Sequence, residues 1–173
     1  MAKKRENKFL SFIVVVVLIV FAGVIYIVVS SGNLYKNTPN NQQPSSQIYK
    51  SKNLKFSISV SANWQVQEDI TFVDLISNKG KINISRIATN FNSVKDYLQD
   101  FDLKRSISIK KENEIKINNK ESISRIEIFN GGPINKQKVY YVYTDNWVYA
   151  ISTTPESLFD DLDKIAQSFK YGP

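Results

Sequence analysis

Hydrophobic positions along this chain fall into three regimes. From Phe9 to Val29 they are continuous: FLSFIVVVVLIVFAGVIYIVV carries no charge and one strongly polar residue, Ser11. Over residues 30–47 they almost vanish, apart from Leu34 and Tyr35, in a run of Ser, Asn, Gln and Pro. Over 48–173 they alternate or recur with the periods of strands and helices. These regimes read as a transmembrane helix, a flexible linker and one folded domain. The 21 residues of the first run would reach about 31 Å as a helix, close to the thickness of a bilayer's hydrocarbon core.

Within 48–173 a period of two comes first. Phe56, Ile58 and Val60 alternate with Lys55, Ser57 and Ser59, and Trp64 and Val66 begin a second short strand after the corner Ser61-Ala62-Asn63. ITFVDLI (70–76) and KINISRIA (81–88) flank Ser77–Gly80, a hairpin with glycine in its turn. The period then changes. Val94, Tyr97, Leu98 and Phe101 follow i, i+3, i+4, i+7, an amphipathic helix with Ser93 as N-cap. Strands return as NEIKI and ESISRIEIF around Asn118–Lys120, and as KVYYVYT and WVYAIST around Asp145–Asn146. Gly131–Pro133 breaks the chain between these hairpins. The last segment carries Leu158, Leu162, Ile165 and Phe169 on one helical face, with Thr154 as N-cap and Pro155 in the first turn.

The hairpin 138–153 fixes the layering. Val139, Tyr141 and Tyr143 form one apolar face, and Tyr140 and Val142 the other. Trp147, Tyr149 and Ile151 likewise oppose Val148 and Ala150. Strands apolar on both faces belong in the middle of a sheet covered on both sides. Hairpins plus two helices therefore predict an α+β domain with a central antiparallel sheet covered by helices.

Charge sets the orientation of the span. Lys3, Lys4, Arg5 and Lys8 precede it against Glu6, and residues 30–44 carry only Lys36. This excess predicts a single-pass protein of the plasma membrane, with residues 1–8 cytoplasmic and the domain extracytoplasmic. The bilayer is then a partner through residues 9–29. A cleaved signal peptide is the alternative, with a small-residue site at Val28–Gly32. Of the net charge of +7, residues 48–173, with 18 basic and 15 acidic side chains, hold +3. That is no nucleic-acid footprint, and no nucleic-acid partner is expected.

Chemistry is sparse. The chain has no histidine and no cysteine, which removes imidazole bases, thiol nucleophiles and thiolate metal sites. Ser108 and Lys111 stand as a serine–lysine pair, but a regular strand puts positions i and i+3 on opposite faces. Lys104, Arg105, Lys110 and Lys111 form the densest basic patch and read as a solvated face. Asp160, Asp161 and Asp163 suit the positive end of the last helix. No metal or cofactor is expected. Tyr140, Tyr143, Asp145 and Trp147 are the candidate partner or ligand surface, since Tyr and Trp join an apolar body to a polar tip. Trp64 reads as a structural plug at its corner.

FSISVSANW (56–64), VYYVYTDNWVYAIS (139–152) and IAQSFK (165–170) resemble the opening strand and corner, the central hairpin and the last helix of the PsbP-like family. The resemblance covers about residues 48–171. The family usually has proline at the corner where this chain has Ser61. It implies a helix-covered antiparallel sheet, and a non-catalytic domain that supports membrane complexes. The expectation is a membrane-anchored binding or scaffolding protein, not an enzyme, with a protein partner in the envelope. The second reading is an extracytoplasmic carboxylate-dependent hydrolase, using acids among Asp69, Asp74, Asp145 and the Asp160 group.

Overall fold

Among the described residues ten strands and two α-helices follow in the order β1 (Ser46–Ser51), β2 (Phe56–Ser61), β3 (Gln65–Glu68), β4 (Phe72–Ser77), β5 (Gly80–Ala88), α1 (Val94–Lys104), β6 (Ile107–Ile117), β7 (Lys120–Phe129), β8 (Lys136–Thr144), β9 (Trp147–Thr153), α2 (Phe159–Ser168) and β10 (Lys170–Tyr171). The structure, a computed structural model, describes residues 45–105, 107–129 and 136–172. The apolar run 9–29, its basic start with Lys3, Lys4, Arg5 and Lys8, the linker up to residue 44 and the Gly131–Pro133 break lie outside the described residues. Among the described residues no helix is long and apolar enough to cross a membrane.

The strands form two antiparallel sheets. Seven lie in the order β3-β4-β5-β9-β8-β7-β6, and three in the order β1-β2-β10. β8 and β9 are interior, as their two apolar faces require. One face of the large sheet packs on α1: Val94, Tyr97 and Leu98 meet Ile123, Val139, Tyr141, Val148 and Ala150. The other face packs on α2 and the small sheet: Phe56, Ile58 and Val60 join Leu75, Ile84, Tyr149, Ile151, Leu162, Ile165 and Phe169. Phe56, Ile58 and Tyr149 are fully buried. Each such side chain contributes about 1.5–3 kcal/mol relative to exposure.

Three expectations change. The strand Phe56–Ser61 leaves the central sheet and builds the second one, because its partners are β1 and the C-terminal β10, Phe56 lying opposite Tyr171. Ser46 and Gln47, read as linker, are the first residues of β1; an exposed edge strand has no apolar period to announce it. Thr154 and Pro155 do not cap α2: Pro155 precedes a 3-10 turn, Glu156–Leu158, and α2 starts at Phe159 without a side-chain cap. Ser93 does cap α1, its hydroxyl accepting from the Asp96 N–H at 3.0 Å.

Two hairpin turns owe their form to Asx residues. Asn118–Asn119 and Asp145–Asn146 all have positive φ, between 41° and 67°. Asn and Asp tolerate the left-handed region that a two-residue hairpin turn needs. Gly80 has another reason. Its φ is 133°, and a Cβ there would come within 2.9 Å of the Pro155 ring. Glycine thus lets the β4–β5 turn lie close against the approach to α2.

Candidate functional site

A cleft opens beside the corner that precedes β3. The start of β1, the corner after β2, the β4–β5 turn and α2 contribute, β1 through Ser45 and Ser46. The chain turns at Ser61–Trp64, where the Trp64 N–H donates to the Ser61 carbonyl at 3.1 Å. The β4–β5 turn carries Asn78 and Lys79, and α2 carries Asp161, Lys164 and Ile165. Together they enclose about 720 Å3, with Asn63 and Trp64 on the wall. Trp64 is 9% exposed and belongs to the core below. It therefore fills the corner, as expected, and also lines the cleft. Lys79 Nζ lies 3.8 Å from Asp161 Oδ2 across the opening.

The sheet divides the residues expected to form a partner surface. Tyr140 faces α2, and its hydroxyl donates to Asp163 Oδ1 at 2.7 Å. Burial, reinforced by that carboxylate, pushes the Tyr140 phenol up to about 12. Tyr143 lies on the opposite face beside the α1 core, its hydroxyl donating to the Phe91 carbonyl at 2.9 Å. Asp145 is exposed in the β8–β9 turn, 3.8 Å from Lys120. Trp147 is half-buried, with the Arg86 guanidinium 4.2 Å from its ring centre. Tyr140 and Tyr143 thus cannot border one pocket, and each has its polar tip bound within the fold.

The acids of the hydrolase reading are dispersed. Asp74 holds Lys81 at 2.9 Å and Asn83 at 2.7 Å. Its neighbours Val73 and Leu75 point into the α2-side core, so Asp74 points away from α2. Asp69 accepts from the Ile70 N–H at 2.6 Å, and Asp160 is exposed on α2. Among the described residues no group of three or more acidic side chains could hold a metal ion.

Ser108 and Lys111 require a correction. A register shift between Ile109 and Lys111 breaks the strict alternation of β6, so Ser108 pairs with Ile128 and Lys111 with Ile126. Both therefore lie on one face. No hydrogen bond joins them among the described residues. In the basic patch, Lys104 bonds Asp100 at 2.6 Å and Arg105 stacks over Phe101. A smaller recess of about 230 Å3 lies between β6, β7, β8 and α2, where Lys138 pairs with Asp163 at 2.5 Å.

Sequence reasoning missed two arrangements. One is the cleft set of Asn63, Asn78, Lys79, Asp161 and Lys164, whose members come from three separate elements. The other is an ionic network under α1. Arg125, 4% exposed, grips Asp102 through two bonds of 2.8 Å and Glu112 through one of 2.5 Å. Glu127, fully buried, accepts from Gln137 at 2.8 Å and from the Tyr141 hydroxyl at 3.0 Å. The available signal was in β7 itself, where Arg125 and Glu127 share the inward face of Ile123.

No protein-family model matches the sequence, and no curated protein matches it. Solved structures do match. The fold is similar to that of the cyanobacterial PsbP (CyanoP) of Synechocystis, with a TM-score of 0.52 and 8% identity, covering 76% of this chain and 95% of that one. It is similar to the same degree to Mog1p, a Ran-binding protein of Saccharomyces cerevisiae, with a TM-score of 0.52 and 8% identity, covering 74% of this chain and 96% of that one. The chain has a PsbP-like fold: a mostly antiparallel sheet with two short helices.

Proposed function

We propose that this protein is a membrane-anchored binding module. Residues 9–29 hold it in the plasma membrane as a single pass, and the PsbP-like domain outside supports or recruits another envelope component without catalysing a reaction. The observation that carries the binding role is the Trp64 cleft. It is large enough for an organic ligand, and polar residues of β1, the β2 corner, the β4–β5 turn and α2 converge on it. The anchor rests on the apolar run and on Lys3, Lys4, Arg5 and Lys8 before it. That Mog1p is a Ran-binding protein supports a binding role on this fold.

Two measurements test the reading. Membrane fractionation followed by protease treatment of intact cells should find the chain in the membrane pellet and its domain cleaved from outside. Recovery in the soluble fraction would remove the anchor. A photo-crosslinker at Asn78 in the full chain should capture an envelope component in cells. An empty crosslink from a folded, correctly placed protein that also binds no ligand would remove the binding role.

A further inference from the structure

We propose that the Trp64 cleft takes a saccharide carrying a carboxylate, an inference that rests on the binding role above and names its ligand. The cleft is rich in donors for which the described residues provide no hydrogen-bond partner. The side-chain amides of Asn63 and Asn78, the indole N–H of Trp64 and the ammonium of Lys164 donate no hydrogen bond among the described residues, and Lys79 only approaches Asp161 at 3.8 Å. Thr144 Oγ1 is the only buried side-chain polar atom without a partner among the described residues. The unused cleft donors are therefore open to solvent rather than sealed in the core. Trp64 is the telling member. A tryptophan this buried ordinarily finds a partner for its N–H, and the described residues supply none.

The ligand class follows from this inventory. A ligand matching two amides, an indole N–H, two ammonium groups and the serines beside them must carry many acceptors together with donors of its own. Sugar hydroxyls and ring oxygens provide that combination. Asp161 provides an acceptor for a sugar hydroxyl. Two lysines against one aspartate leave the cleft net positive, which selects a carboxylate over a neutral sugar. The side chain of Lys79 is 58% exposed and free to close on the bound anion. A cleft of about 720 Å3 also holds far more than a lone inorganic ion.

The test uses the full chain in detergent micelles. Oligosaccharides of a uronic acid, neutral oligosaccharides of the same length, and inorganic phosphate are titrated separately by calorimetry. The Trp64 indole N–H resonance, assigned with the Trp147→Phe chain, reports the site. The acidic oligosaccharide should bind saturably and shift that resonance. The neutral one should bind about tenfold more weakly or less. Lys79→Gln with Lys164→Gln, both at the surface and compatible with folding, should erase that preference. Equal binding of acidic and neutral sugars, or displacement of the sugar by phosphate alone, would overturn the assignment. If the Asn78 crosslinker captures a protein while no sugar binds, the ligand class is wrong and the binding module stands. If neither captures nor binds, both are wrong.

Discussion

The hydroxyl of Tyr49 donates to Glu68 Oε2 at 2.5 Å, tying β1 of the small sheet to β3 of the large one. Ser51 and the Asn53 N–H add bonds of 2.7 Å and 3.0 Å to the other carboxylate oxygen. One side chain thus fastens the two sheets at the start of the fold. Burial acting alone would raise the Glu68 pKa. The hydrogen bonds from Tyr49, Ser51, Asn53 and the Lys52 backbone outweigh it and hold the carboxyl below its usual range. A folded-state pKa below the unfolded one means that Glu68 stabilises the fold above the ordinary carboxylate range, about pH 4.3. That contribution is lost as the pH falls through the folded value. Glu68→Gln should therefore be less stable than the parent at neutral pH. The two melting curves should converge in acid. A gap that stays constant with pH would show that the Glu68 charge is not the fastener.

Trp64 joins the Ser61–Asn63 turn to the core beneath it. It packs with Val60, Leu75 and Ile165 as part of one buried cluster. Trp64→Ala should cost about 3–5 kcal/mol, the range for emptying a buried aromatic site, measured by urea denaturation. Trp64→Phe should recover much of that loss, since it refills part of the volume. An unchanged midpoint for Trp64→Ala would mean that the corner is held by its backbone alone.

What the sequence disclosed was local. The period-two runs of β2, β8 and β9 assign their faces correctly, because alternation is a property of a strand by itself. The same holds for α1, where Val94, Tyr97 and Leu98 are buried at helical spacing. Pairing was not disclosed. β2 meets β10 through Ser57 and Lys170, residues far apart in the chain, and no local pattern tells a second sheet from an outer strand of the first. The cleft was hidden for the same reason: Asn63, Asn78 and Lys164 acquire a common purpose only when the β4–β5 turn docks beside α2. At Lys110, a one-residue shift in register reversed an argument from strict alternation, and nothing in KKEN signals it.

The Arg125 network makes a different kind of claim. Arg125 has Asp102, Glu112 and Glu127 within 3.9 Å and is almost fully buried. Arg125→Ala removes the cation and leaves Glu127 buried among neutral donors. The expected loss is about 3–5 kcal/mol, typical of breaking one partner out of a buried ion pair. Because Asp102 is on α1, the variant should also loosen that helix. Faster amide hydrogen exchange over Val94–Lys104 would report it. Unaltered exchange there would show that α1 is held by Val94, Tyr97 and Leu98 without help from the ion pair.

Ser61 tests the resemblance to the PsbP-like pattern, which has proline at this corner. The Ala62 N–H donates to the Ser45 carbonyl at 3.2 Å, and Ser61 lies opposite Ser46. Backbone groups of an antiparallel strand alternate in direction. The Ser61 N–H therefore points away from β1, on the side where the Ser59 N–H donates to Ser168 Oγ at 2.9 Å. No bond from Ser61 itself replaces that one among the described residues. A proline at 61 would remove an N–H that the β1–β2 ladder does not use, and would restrict the unfolded chain. Ser61→Pro should then leave the melting temperature unchanged or raise it, by about 0.4–1 kcal/mol in stability. Ser59→Pro, two residues earlier on the same side, would lose the bond to Ser168 and should destabilise. If Ser61→Pro destabilises as much as Ser59→Pro, the corner does not follow the geometry of the proline-bearing pattern.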